Sequence, residues 1–393
     1  MKMKRMIGAA LVAVVVGATA FSGVAAADGP NGTQTNGTGW DDVPQTITGG
    51  GSDTTYAWHQ GAERLYNQAG GCRVDTGSGS ANKGKCVTGA AQDQTDVKGN
   101  WDHDVTVSAY PTGSSAGVRE LTATPAIPGG LYDYARSSRG PNPSGETGTT
   151  FWGVGKDAVA VVTFPGRPAA NLTTQDIKDI YSCTKTDWSQ IGGGAFGSGP
   201  IVPVGMNSSS GTYATFQTFL GFDPNSGSCV VGLNGVKATF PFENDVKQLN
   251  ENAFLNANKG NAIWWMSAAA WKAYGFKRQN AQINTVDTRS PIVPAHVAGN
   301  LYPITRFIYH VTRTADAGPV SGSDNVVGAT TGKGGAVREF TEFLCKNTAN
   351  HGLNEFTGLT NDVELSKVYG STGFFQVPGT QRTNGLCAVT QAP

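Results

Sequence analysis

Three times in this chain a run of hydroxyl and glycine residues stands where a strand-like stretch gives way to a helix-like one. The runs are Gly51-Ser52-Asp53-Thr54-Thr55, Gly113-Ser114-Ser115-Ala116-Gly117 and Ser208-Ser209-Ser210-Gly211-Thr212. Strand, polar turn and helix in alternation mean an α/β fold with ligand sites at the carboxyl ends of strands. Helix starts are also anion sites, because their first N–H groups lack internal partners and carry the positive end of the macrodipole, about half an elementary charge. Three such ends aimed at one point would hold an oxyanion without a metal. Ordinary N-capping accounts for any one of them, since Ser, Thr, Asp and Gly are the residues helix starts prefer. The triple occurrence weighs against that account.

The rest of the chain supports the same class. Tyr56, Ala62, Leu65 and Tyr66 fit one face of a helix after Thr54-Thr55, and Val105 to Tyr110 alternates like a strand before Gly113 to Leu121 turns helical. Ala158 to Val162 is a continuous apolar run, as in a strand buried on both faces. Thr173 and Asp176 form a capping-box pattern ahead of Ile177 to Tyr181. Pro200 to Val204 is a short strand leading into the third hydroxyl run, and 262–266 and 307–311 are further buried strands. In Trp264-Trp265, one ring is expected in the core and the other in a cleft or at the surface. Residues 70–99 and 140–150 read as loops.

The N-terminus carries Lys2, Lys4 and Arg5, then an apolar stretch from Met6 to Phe21, then Ala25-Ala26-Ala27, the plan of a secretory signal spanning 1–27. Residues 28–42 are too polar to bury apolar surface and read as a flexible leader. No cysteine precedes Cys72, so a lipid anchor is not expected, and no later stretch approaches the roughly 20 apolar residues of a membrane span. Secretion or periplasmic release follows. The chain has 29 basic and 29 acidic residues, and loss of the signal leaves it slightly acidic, which excludes the basic footprint of a nucleic-acid binder. Six cysteines in an exported chain read as three disulfides, and sequence proximity suggests Cys72–Cys86, Cys183–Cys229 and Cys345–Cys387, with other pairings left open. No C-x-x-C pair and no histidine at ligand spacing points to a metal.

The order of these motifs resembles that of the phosphate-binding proteins of ABC importers, a family with the two-domain, type II periplasmic solute-binding fold. The residues that carry the likeness are 50–56, 113–119, Tyr132-Asp133-Tyr134-Ala135-Arg136-Ser137-Ser138, 172–181 with Trp188, Asn207 to Thr212, and Pro303-Ile304-Thr305. The resemblance implies that Thr55, Ser114, Asp133, Ser210, Gly211 and Thr212 surround the anion, with Thr54 and Ser115 beside them in the same loops. Asp133 would accept the proton that phosphate keeps and sulfate lacks at neutral pH. The family's third loop begins with an arginine where this chain has Met206 and holds an aspartate where it has Ser208. Arg136 and Arg139 are the nearest substitutes for the missing cation, with Arg306 a third.

The resemblance further implies domain I from 43–158 plus 305–393, domain II from 159–304, and a hinge near Val159 and Pro303 to Arg306. It implies capture of inorganic phosphate or a related tetrahedral oxyanion, delivery to a membrane ABC permease, a monomer, no cofactor and no catalysis. Two other readings stand beside it. One is an extracellular adhesion or polymer-binding protein on the same fold. The other is a secreted esterase, since Gly113 to Gly117 matches G-x-S-x-G with Ser115 as nucleophile and Asp287 and His310 to complete a triad.

Overall fold

The structure is a computed structural model describing residues 46–69, 96–99, 113–122, 132–142, 145–232, 235, 237, 240–242, 257–272, 281–319, 326–329, 332–345, 361–383 and 385–391. The signal, the leader, Cys72, Cys86 and the expected strand 105–110 lie outside the described residues.

Thirteen described strands follow in chain order: β1 Thr46–Gly51, β2 Asp96–Gly99, β3 Tyr134–Ser137, β4 Thr149–Thr163, β5 Asn171–Leu172, β6 Val202–Pro203, β7 Ala262–Ser267, β8 Gln282–Ile283, β9 Thr285–Val286, β10 Thr305–Arg313, β11 Ala317–Pro319, β12 Val326–Gly328 and β13 Ala388–Gln391. The described helices are α1 Tyr56–Ala69, α2 Ser114–Thr122, α3 Thr174–Tyr181, α4 Gly211–Leu220, α5 Ala268–Ala270, α6 Pro294–Ala298, α7 Gly332–Cys345 and α8 Asn361–Thr372.

One sheet runs through the whole molecule in the order β2-β1-β3-β10-β4-β7-β6, with β13 and β8 also paired to β4. β4 explains this continuity. Its first half pairs antiparallel with β10 and β13, and its second half pairs with β7 and β8. All fifteen of its residues are buried. The apolar run Ala158 to Val162 is therefore the second half of a longer strand whose first half is more polar and was not legible as strand. Its buried polar groups are bonded inside: Trp152 Nε1 donates to Thr312 Oγ1 at 2.9 Å, and Asp157 pairs with Arg306 at 2.7 Å.

The apolar core follows the same division. The largest cluster is drawn from residues between Ala158 and Ile304, and a second from Ile47 to Val154 and Ile308 to Cys387, with Ala269 joining it from the far side. Trp264 and Trp265 are both fully buried. Their strand lies inside the sheet between β4 and β6, so both faces are covered. Trp264 Nε1 donates to the Gly205 carbonyl, and Trp265 stacks on Phe216 with centroids 4.3 Å apart. β2 occupies the end of a stretch expected as loop, held by parallel pairing to β1 rather than by any apolar pattern of its own.

Local signals set several boundaries. Thr173 caps α3 by accepting from Asp176 N while the Asp176 carboxylate accepts from Thr173 N, each at 3.0 Å. Ser210 caps α4, and Gly221 ends it in the left-handed conformation at φ 82°. Disulfides join Cys183 to Cys229 and Cys345 to Cys387. The first ties the end of α3 to the loop after α4, and the second ties the end of α7 to the start of β13.

Candidate anion-binding site

The three hydroxyl runs meet between the two cores. β1 ends at Gly51 with φ 117°, and a Cβ on Gly117 would fall 2.4 Å from the Gly51 Cα. Only two glycines allow α2 to pack backbone to backbone against the end of β1, and that contact brings the starts of α1 and α2 together. The third start arrives from the other side. A Cβ on Gly211 would lie 2.3 Å from Ser138 Oγ and 2.4 Å from Ser114 Oγ, so glycine at the first residue of α4 lets it close onto the first two.

The result is a ring of hydroxyls. Thr54 Oγ1 and Thr212 Oγ1 are 3.1 Å apart across the cleft. Ser138 Oγ lies 3.1 Å from Ser52 Oγ, 3.3 Å from Ser114 Oγ and 3.4 Å from Thr54 Oγ1, and its backbone N–H donates to Ser114 Oγ at 2.9 Å. Ser210 Oγ accepts from Thr212 N at 3.1 Å. Ser52, Thr54, Thr55, Ser114, Ser138, Ser210 and Thr212 are all buried, and Thr55 Oγ1 has no hydrogen-bond partner. Ser115 N reaches Ser209 O at 3.5 Å, a backbone contact between the two sides.

Asp133 does not enter this ring. It precedes β3 while Ser138 follows it, a separation of about 16 Å along extended chain. Its Oδ2 accepts from Thr48 N at 2.8 Å and stands 3.5 Å from Lys333 Nζ. The place at the carboxyl end of β3 belongs to Ser138, which offers a hydroxyl and a backbone N–H where a carboxylate was expected. Ser52 and Ser138 were not singled out from sequence, although both sit inside the quoted motifs.

The expected cations also sit elsewhere. Arg136 is buried beneath the first loop, donating to Ser52 O and Gly49 O at 3.3 Å each, with its guanidinium 5.5 Å over the Tyr56 ring. Arg139 donates to Ser115 Oγ at 3.2 Å and is paired with Glu146 at 2.5 Å, so its charge is matched. Met206 is fully buried in the core of the first and largest cluster. Asn225 bonds both the N–H and the carbonyl of Met206, so its backbone is held while the side chain packs. What this ring offers a ligand is hydroxyls, N–H groups and helix ends rather than a side-chain cation.

The triad of the esterase reading does not assemble. Ser115 faces Arg139, Asp287 accepts from Thr174 N and Oγ1 at 3.0 and 2.6 Å, and His310 Nε2 faces Thr341 Oγ1 at 3.1 Å. His59, one turn into α1, reaches the Thr55 carbonyl with Nδ1 at 3.2 Å, and its ring lies 5.9 Å from that of His310. Burial, then the neighbouring His310 and Arg136, holds His59 well below its ordinary pKa, and burial lowers His310 to about 3. Both rings are neutral supports under the first loop at physiological pH. Among the described residues no group of three or more His, Cys, Asp or Glu is placed to hold a metal, and no helix is long and apolar enough to cross a membrane.

The sequence pattern of the PBP superfamily domain, the periplasmic-binding-protein superfamily, matches residues 85–347. The chain belongs to this superfamily. Its fold is similar to that of a putative phosphate ABC transporter substrate-binding protein with bound phosphate from Clostridium perfringens, at TM-score 0.51 and 17% identity over 85% of this chain and 100% of that one. It is also similar to the phosphate-binding protein from Stenotrophomonas maltophilia, at TM-score 0.50 and 14% identity over 85% of this chain and 91% of that one. At such identities the likeness shows the fold, the two-domain type II arrangement with a cleft between α/β domains. No curated protein sequence matches the chain. The hydroxyl ring lies between the two apolar cores of this fold.

Proposed function

We propose that this protein is the secreted solute-binding component of an ABC-type importer and captures phosphate or a related tetrahedral oxyanion. The observation that supports this reading most directly is the buried ring of hydroxyls at the starts of α1, α2 and α4, drawn from both sides of the cleft. Domain I would comprise 43–158 plus 305–393 and domain II 159–304, hinged near Val159 in β4 and at Pro303 to Arg306. The ligand set is Thr54, Thr55, Ser114, Ser210, Gly211 and Thr212, joined by Ser52 and Ser138. The protein would act as a monomer, bind and release its ligand unchanged, and hand it to a membrane permease. Removal of residues 1–27 and a third disulfide, Cys72–Cys86, belong to the same reading.

Calorimetry against phosphate, sulfate and molybdate tests it. At least one of these should bind with a single site per chain. Thr212→Val should weaken that binding by up to about tenfold, the effect of one neutral hydrogen bond of 0.5 to 1.5 kcal/mol. If no tetrahedral oxyanion binds, the reading fails.

A further inference from the structure

Beside the ring lies a cavity of about 730 Å³ between the two domains. Its position relative to the ring is specific. Of the four loops that bring hydroxyls to the ring, three also bring a neighbouring residue to the cavity: Ser115 next to Ser114, Arg139 next to Ser138, and Ser208 two residues before Ser210. The ring and the cavity are therefore neighbours with three loops as their common wall. The far side is formed by the exposed flank of α4 and by the hinge stretch Pro303 to Phe307 with Tyr309.

A tetrahedral ion needs only the ring. A space of this size falls in the range of roughly 300 to 1,000 Å³ that takes a small organic molecule. Two further observations concern what such a molecule carries. At the end of β3, where a carboxylate was expected to accept the proton of inorganic phosphate, the ring has Ser138. A phosphate monoester has a second pKa of about 6 and is an unprotonated dianion at neutral pH, so a ring rich in donors suits it. The hinge wall contains Arg306, which is nine-tenths buried and gives Nε and Nη2 to Asp157 while its Nη1 has no partner. That nitrogen is enclosed within the hinge wall, and Arg306 borders the cavity with the rest of its side chain.

We infer that the ligand is a phosphate monoester with a polar organic part of about sugar size, its phosphoryl group in the hydroxyl ring and its organic part in the cavity against α4 and Arg306. This rests on the oxyanion reading above and names the substrate class of the same cleft.

The test is calorimetry of the purified protein with inorganic phosphate and with glucose 6-phosphate, on the parent and on Ala214→Trp, a change on α4 that fills the cavity without touching the ring. Glucose 6-phosphate should bind the parent at least about tenfold more tightly than inorganic phosphate, because the organic part adds contacts at little further cost in ordering. Ala214→Trp should remove that advantage and leave inorganic phosphate within about twofold. Thr218→Trp, on the exposed turn of the same helix flank, repeats the test should Ala214→Trp fail to fold. An ester that binds no more tightly than phosphate overturns the inference while leaving the oxyanion reading intact. So does a filling variant that weakens both ligands equally. Binding of neither ligand overturns the inference, and the oxyanion reading falls with it if sulfate and molybdate also fail to bind.

Discussion

Asp133 and Ser138 flank one short strand, β3, and would be interchangeable to a reader of motifs, yet their surroundings differ. Asp133 is tied to the Thr48 N–H and to Lys333, while Ser138 bonds three ring hydroxyls. Asp133→Asn should leave the discrimination between phosphate and sulfate unchanged. Ser138→Asp puts a carboxylate among the ring oxygens, where it can accept from a protonated anion and repels an unprotonated one. Phosphate should then be favoured over sulfate by a clearly larger factor than in the parent. Titration of both variants with both anions at fixed pH and ionic strength separates the two positions. A loss of selectivity in Asp133→Asn would return that carboxylate to the site.

Short elements bring these residues together, and their ends matter more than their middles. The cap of α3 is a clear case. Burial pushes the Asp176 carboxyl up, but bonds from Lys185 and from the Thr173 N–H and hydroxyl outweigh it and hold its pKa below the ordinary carboxylate value. A carboxyl with a depressed folded pKa stabilises the fold above its unfolded pKa of about 3.9 and loses that contribution as pH falls through the folded value. Thr173→Ala should cost about 1 kcal/mol at neutral pH, read by denaturant unfolding. The gap between Asp176→Asn and the parent should narrow as pH falls below about 4. At the site itself, Gly117→Ala should push α2 off β1, since its Cβ would meet the Gly51 backbone. A cost of about 1 to 3 kcal/mol in stability is expected, together with weaker anion binding because Ser114 moves with the helix.

At the scale of the molecule, two cores share one sheet through β4, and the two sides meet at the ring through Thr54 with Thr212 and Ser115 with Ser209. A strand that passes unbroken between cores allows a bend without breaking the core on either side. Binding of a tetrahedral anion should therefore close the cleft, and small-angle scattering should give a smaller radius of gyration with the anion than without it. An unchanged radius at proven saturation would remove closure from the proposed mechanism. The disulfides lie away from this hinge, each staying on one side of it: Cys183–Cys229 on the side of the first cluster and Cys345–Cys387 on the side of the second. They stiffen what should move as a unit.

The α/β alternation, the buried run at Ala158 to Val162, the cap at Thr173 and the three hydroxyl-rich helix starts were all legible from sequence, because each is written in neighbouring residues. Periodicity and capping are local physics, acting over one turn or one strand. What the sequence did not carry is which of several similar polar residues would face one another. That Ser138 rather than Asp133 joins the ring depends on where β3 ends against β1 and β10, and that Met206 lies in the core depends on the packing behind the third loop. Both tryptophans of Trp264-Trp265 are buried because β7 has neighbours on either side. Arg139 is neutralised by Glu146, and Arg306 by Asp157, through pairings set by tertiary contact. Local sequence determined the elements and the kind of chemistry their ends can do; the three-dimensional packing of elements distant in the chain decided which atoms do it, because a hydrogen bond requires two groups within about 3 Å and only the fold sets that distance.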